Sequence, residues 1–106
     1  MFSTITIDDL NKKHEKLSSD ELILDVRTPE EFQEGHIPGA RNIAHTEVSA
    51  HTAELRKYKR VYIYCRSGGR VQTACYELVN LGLNNLVGVV SGGMPNWVQS
   101  GFPTEK

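Results

Sequence analysis

The sequence predicts an α/β domain built on a parallel sheet with helices on both faces. Three observations point there. The runs Leu22–Val26, Val61–Cys65 and Leu86–Val90 are short and largely apolar without alternation, as strands covered on both faces are. Helical patterns lie between them. Strand and helix alternate along the chain, and parallel neighbours need such crossovers.

Taken in order, Ile5 is a candidate edge strand and Leu22-Ile23-Leu24-Asp25-Val26 a buried one. The turn Arg27-Thr28-Pro29 follows. Thr28 suits an N-cap, Pro29 the first helical position, and Glu30 and Glu31 the positive end of a short helix that stops at Gly35. His36-Ile37-Pro38-Gly39-Ala40 is a turn-rich link into a brief strand around Arg41-Asn42-Ile43, and a weakly patterned helical segment falls within Glu47 to Lys57. Val61-Tyr62-Ile63-Tyr64-Cys65, rich in β-branched and aromatic residues, is the clearest strand. Gly68-Gly69 breaks it. A helix then runs from about Arg70 to Leu81, with Val71, Ala74, Cys75, Leu78 and Val79 as its apolar stripe and Gly82 as its C-cap. Leu86–Val90 is the next buried strand, and Pro95-Asn96-Trp97-Val98 begins a last short helix.

The 106 residues fit one compact domain, 1–106, with no internal repeat or linker. Apolar residues make up 39% and charged residues 24%, an ordinary globular balance. Twelve basic against 13 acidic side chains give a net charge of −1, which argues against nucleic acid as the main ligand. No apolar run approaches the roughly 20 residues that span a bilayer. The N-terminal stretch lacks a basic run followed by an apolar one, so no leader is expected and a cytoplasmic setting is. Two cysteines are few for a disulfide-stapled domain of this size.

The chemistry concentrates in Tyr64-Cys65-Arg66-Ser67-Gly68-Gly69-Arg70. Cys65 falls at the carboxyl end of a buried strand and just before a helix, where open α/β sheets bind their ligands. Two glycines let the backbone curl so that successive N–H groups face one concavity. Such a ring, the positive end of the helix and the flanking Arg66 and Arg70 favour a thiolate over a thiol. The same donors would hold an anionic substrate or a sulfur-bound sulfur. An isolated cysteine ending a strand is more often a packing residue. Gly-Gly between two arginines is harder to explain as packing, and tips the reading toward a reactive thiol.

Cys75 reads the other way. It sits on the apolar stripe of the helix, several turns from the loop, whereas disulfide partners need Cα atoms within roughly 7 Å. It is expected in the core. Four residues separate Cys65 from Arg70. Cysteine phosphatases use a similar cradle with one residue more, wide enough for phosphate, so a phosphatase or arsenate reductase is the weaker reading.

Three segments together resemble the rhodanese family over nearly the whole chain. They are Leu24–Phe32 with Gly35–Ile43, the loop Cys65–Arg70, and Ser91-Gly92-Gly93-Met94 with Trp97. The resemblance implies a five-stranded, mainly parallel sheet and a ping-pong sulfurtransferase, here a single-domain thiosulfate sulfurtransferase. Cys65 would take the outer sulfur of a small anionic donor such as thiosulfate and pass it, as a persulfide, to cyanide, a thiol or a protein acceptor. The loop amides of Arg66, Ser67, Gly68, Gly69 and Arg70 would support the persulfide, and the two arginines would attract the donor and stabilise leaving sulfite. No metal or organic cofactor is implied. A sulfur-relay module with a protein donor and a non-catalytic binding domain are the competing readings; retention of the cysteine favours catalysis.

The remaining candidates have plainer readings. Asp25 ends a buried strand and must find partners, with loop amides or an arginine expected. Arg27 is expected in a surface ion pair, His36 in a capping role, and Trp97 as the anchor of the last helix. His14, His45 and His51 show no ligand spacing with the cysteines. At least one of Tyr62 and Tyr64 should pack inside.

Overall fold

The computed structural model describes residues 2–106; of the N-terminal stretch read above, Met1 lies outside them. Five strands form one parallel sheet in the order β1-β5-β4-β2-β3: β1 (Ser3–Thr4), β2 (Glu21–Asp25), β3 (Arg41–Asn42), β4 (Arg60–Tyr64) and β5 (Leu86–Gly88). Five helices connect or flank them: α1 (Ile7–His14), α2 (Pro29–Glu34), α3 (Thr52–Leu55, preceded by a 3-10 turn over Val48–His51), α4 (Gly69–Asn80) and α5 (Met94–Gln99).

Every residue of β2 is buried, which explains its unbroken apolar run. Side chains alternate across the sheet and build two cores. On one face Leu22, Leu24, Val61 and Ile63 meet Val71, Ala74, Cys75 and Leu78 of α4, with Leu55 and Val48. On the other, Ile23, Tyr62 and Tyr64 meet Ile7 and Leu10 of α1 and Met94 and Trp97 of α5. Both tyrosines are inside, because two residues along a strand share one face.

Several boundaries differ from the expectations, each for a local reason. The edge strand ends at Thr4, although the Ile5 N–H still donates to the Gly88 carbonyl at 3.0 Å. The fourth helix begins at Gly69, a residue earlier than expected. Its C-cap is Leu81, with Gly82 just beyond at φ +94 and its N–H on the Val79 carbonyl at 2.9 Å. The fifth strand ends at Gly88, while Val89 keeps one rung to the Ile63 carbonyl at 2.9 Å.

The sequence reading missed α1. Only Ile7 and Leu10 of its eight residues are buried, too few for a clear periodicity. Its end signals were nevertheless present: Thr6 accepts the Asp9 N–H at 3.1 Å, Asp8 and Asp9 occupy the first turn, and Lys12, Lys13 and His14 the last. At α2 the same signals form a full capping box, with Thr28 and Glu31 reciprocally bonded and Pro29 at the start.

Candidate active site

Cys65 follows β4 and precedes α4, so the sheet delivers it to the rim where strand carboxyl ends meet helix N-termini. The residue is 1% exposed, and its Sγ accepts the Gly68 N–H at 3.1 Å. Gly68 makes that turn at φ +103, and a Cβ there would stand 2.3 Å from the Val90 carbonyl oxygen. Both its conformation and its crowding therefore require glycine. Gly69 has open space at its Cβ position and opens α4. Arg66 and Ser67 are exposed at the loop's outer edge.

A second glycine, absent from the sequence-derived site, fixes the loop from beneath. A Cβ on Gly93 would meet the Cys65 carbonyl oxygen at 2.1 Å and that of Arg66 at 2.3 Å. Its neighbour Met94 donates its N–H to the Cys65 carbonyl at 2.9 Å. The Gly92-Gly93 pair in the third motif was the available signal; only the packing explains it.

Asp25 and Arg27 form a buried ion pair at the carboxyl end of β2, where Asp25 lies opposite Tyr64 of β4. Arg27 Nε and Nη2 reach the carboxylate at 2.7–3.1 Å, the Arg27 N–H adds a bond at 2.9 Å, and Nη2 also donates to the Gly35 carbonyl at 2.8 Å. Asp25 thus bonds an arginine as expected, but Arg27 corrects the expectation of a surface pair: it is 6% exposed. Burial follows because the pair satisfies both ions and the Gly35 carbonyl at once. Asn42, also unforeseen, ties the Asp25 and Arg27 carbonyls together through Nδ2 at 3.0 and 2.9 Å. Tyr64, whose hydroxyl accepts the Ile37 N–H at 3.2 Å, is pushed well above the usual phenol range by burial and by Asp25. It has no acid–base role near neutrality.

Arg70 enters the site with a partner attached. Its Nη1 and Nη2 donate to the two Glu31 oxygens at 2.6 and 3.0 Å, an ion-pair partner that the sequence did not reveal. The Arg70 guanidinium holds the Glu31 carboxyl down at about 2, helped by the Thr28 N–H and hydroxyl. Among the described residues Arg66 alone of these arginines has no ion-pair partner. His36 caps α2 as expected, its Nδ1 2.8 Å from the Phe32 carbonyl and its ring stacked on Phe32. Trp97 is wholly buried and donates to the Pro103 carbonyl at 2.7 Å.

Beside the loop opens a cleft of about 730 Å³, lined in part by Arg27, Glu31, Arg66, Met94, Val98 and Lys106. Cys75 lies on the buried face of α4, where burial pushes its thiol up to about 12. The two cysteines are not bonded to each other.

Comparison with known proteins finds the Rhodanese-like domain family over residues 6–100. A sulfurtransferase of Allochromatium vinosum is 35% identical over 86 residues, covering 81% of this chain and 79% of that protein. Thiosulfate sulfurtransferase 16, a chloroplastic protein of Arabidopsis thaliana, is 32% identical, covering 87% and 86%. A Bacillus subtilis relative at 39% identity is longer, and the chain spans 45% of it. The crystal structure of a rhodanese-related protein from Thermoplasma volcanium superposes with a TM-score of 0.82 at 30% identity, covering 98% of each chain.

Proposed function

The chain belongs to the rhodanese-like domain family, and from that premise we propose that it is a sulfurtransferase whose sulfur carrier is Cys65. The observation that carries the reading is the placement of the Cys65 sulfur against the Gly68 amide, between a strand end and a helix start. The Cys65 thiolate attacks the outer sulfur of thiosulfate. The S–S bond of the donor breaks, sulfite leaves with its electron pair, and Cys65 keeps a persulfide anion. Cyanide or a thiolate then attacks the terminal sulfur and releases the Cys65 thiolate, so charge and sulfur balance over the two half-reactions.

Loop amides from Arg66 to Arg70 support the persulfide, and Arg66 draws in the anionic donor and steadies the sulfite. Asp25 and Arg27 close an ion pair at the end of β2, beside Tyr64, the residue before Cys65. A cytoplasmic setting, which keeps thiols reduced, suits this chemistry. The cleft supports a second reading within the same class. Its volume of about 730 Å³ falls in the range of roughly 300–1,000 Å³ that suits drug-sized ligands, far more than cyanide requires. A larger thiol or a segment of a partner protein would then deliver or collect the sulfur.

Intact mass of the reduced protein before and after thiosulfate tests the proposal. One added sulfur is expected, lost on adding cyanide, absent in Cys65→Ser and retained in Cys75→Ser. Steady thiocyanate formation should fall by about a thousandfold or more in Cys65→Ser. No sulfur gain from thiosulfate, with a gain from a persulfidated protein, would replace the first donor by the second.

A further inference from the structure

Three arginines stand around the Cys65 loop, and two of them are already neutralised. Arg27 is closed onto Asp25, and Arg70 onto both oxygens of Glu31. Glu31 is itself anchored: its Oε1 accepts the Thr28 N–H and hydroxyl, each at 3.1 Å. It therefore cannot follow Arg70 should the guanidinium turn toward a ligand. The pair is only partly exposed, 27% and 26%, and Glu31 lines the cleft beside the loop. Arg70 also feels the Cys65 sulfur, which after Glu31 is among the groups that favour its charge. An anion in that cleft thus meets Glu31, with Arg70 already paired to it.

We propose that Glu31 tunes donor specificity: by neutralising Arg70 it leaves Arg66 as the one uncompensated arginine, and so narrows the advantage that dianionic sulfane-sulfur donors such as thiosulfate hold over monoanionic ones. The proposal rests on the sulfur-transfer reading above and adds the charge class of the donor to it. Its physics is simple. A neutral ion pair attracts a nearby anion little, whatever the anion's charge. Removing the Glu31 charge leaves Arg70 attracting each ligand in proportion to its charge, so a dianion gains twice as much free energy as a monoanion. Glu31 acts through Arg70 and is a positioning residue.

The test is Glu31→Gln. Glutamine at this third helical position keeps the acceptor that the capping box needs, so α2 retains its start. Two donors are compared with cyanide as acceptor: thiosulfate, which leaves as sulfite, and methanethiosulfonate, which leaves as methanesulfinate. In Glu31→Gln, kcat/KM should rise roughly tenfold for thiosulfate and roughly threefold for methanethiosulfonate, mostly through KM. Equal changes for both donors, or none, overturn the proposal. In an Arg70→Gln background the gain from Glu31→Gln should vanish; its persistence also overturns the proposal.

Binding of sulfate and methanesulfonate, measured by calorimetric titration, gives the same answer without turnover. Sulfate should tighten roughly tenfold and methanesulfonate roughly threefold in Glu31→Gln. If neither these donors nor a persulfidated protein loads Cys65 of the wild type, the sulfur-transfer reading fails, while this titration still decides the role of Glu31.

Discussion

Cys65 and Cys75 lie ten positions apart, are 1% and 0% exposed, and belong to the same apolar cluster. Their sulfurs nevertheless face different surroundings. Cys65 caps a strand, and its Sγ receives a backbone N–H from the loop that follows. Cys75 sits within α4 against β5, where even a Cβ on Gly88 would come within 3.3 Å of its sulfur. Burial raises the Cys75 thiol to about 12, with no donor to oppose it. Exposure alone therefore does not separate the proposed sulfur carrier from a packing cysteine. What separates the two is a backbone donor on the sulfur, and this depends on Gly68 beside it.

The most forceful way to break the contrast is to deform the loop without touching its sulfur. Gly93→Ala places a methyl group 2.1 Å from the Cys65 carbonyl oxygen, a backbone atom that cannot swing away. The loop must shift, at a cost of about 3 kcal/mol or more, and sulfur loading should fall with it. Gly69→Ala is the matched control, since nothing lies within 4 Å of its Cβ position. Alanine there should leave stability unchanged or raise it by about 0.5 kcal/mol. Urea unfolding midpoints and intact mass after thiosulfate read both effects. Equal stabilities for the two variants would mean that Gly93 does not clamp the loop.

A milder perturbation sharpens the contrast from the other side. Cys75→Ser puts a hydroxyl where the cluster offers only apolar neighbours, and should cost about 1–3 kcal/mol while sulfur loading at Cys65 persists. In the native wild type at pH 8, Cys75 should also resist iodoacetamide, because the thiolate is the nucleophile and burial holds this thiol near 12. Peptide mapping after brief alkylation checks this. Rapid native labelling of Cys75 would contradict its assignment to the core.

These tests bear on residues that differ in how far the sequence reveals them. The Cys65 loop, the core position of Cys75 and the Thr28 cap are legible because each depends on local spacing. The parallel sheet is legible for a similar reason: β2, β4 and β5 carry compact apolar runs. Helix α1 escapes because its amphipathic stripe amounts to two residues. Arg27 is misread because its burial depends on Gly35, eight residues on and beyond a helix. The Arg70–Glu31 pair spans 39 positions, and neither member signals the other. The close fit of Gly93 beneath the loop likewise exists only after the chain folds back.

That long-range pair supplies the smallest expected effect, and its pH dependence identifies it. Glu31 is held near 2 in the fold, chiefly by Arg70, against an ordinary value of 4.5. A folded-state value below the unfolded one stabilises the protein fully above pH 4.5, and the contribution disappears as pH falls toward 2. Both partners are about one-quarter exposed, so screening limits the contribution to about 1 kcal/mol or less, a few degrees in Tm. Wild type should therefore melt slightly above Glu31→Gln at pH 7, and the two curves should converge near pH 2. Subtracting one variant from the other removes the other acids, Glu21 among them, which is also held near 2. A gap that stayed constant down to pH 2 would assign the stabilisation to packing of the side chain and not to its charge on Arg70.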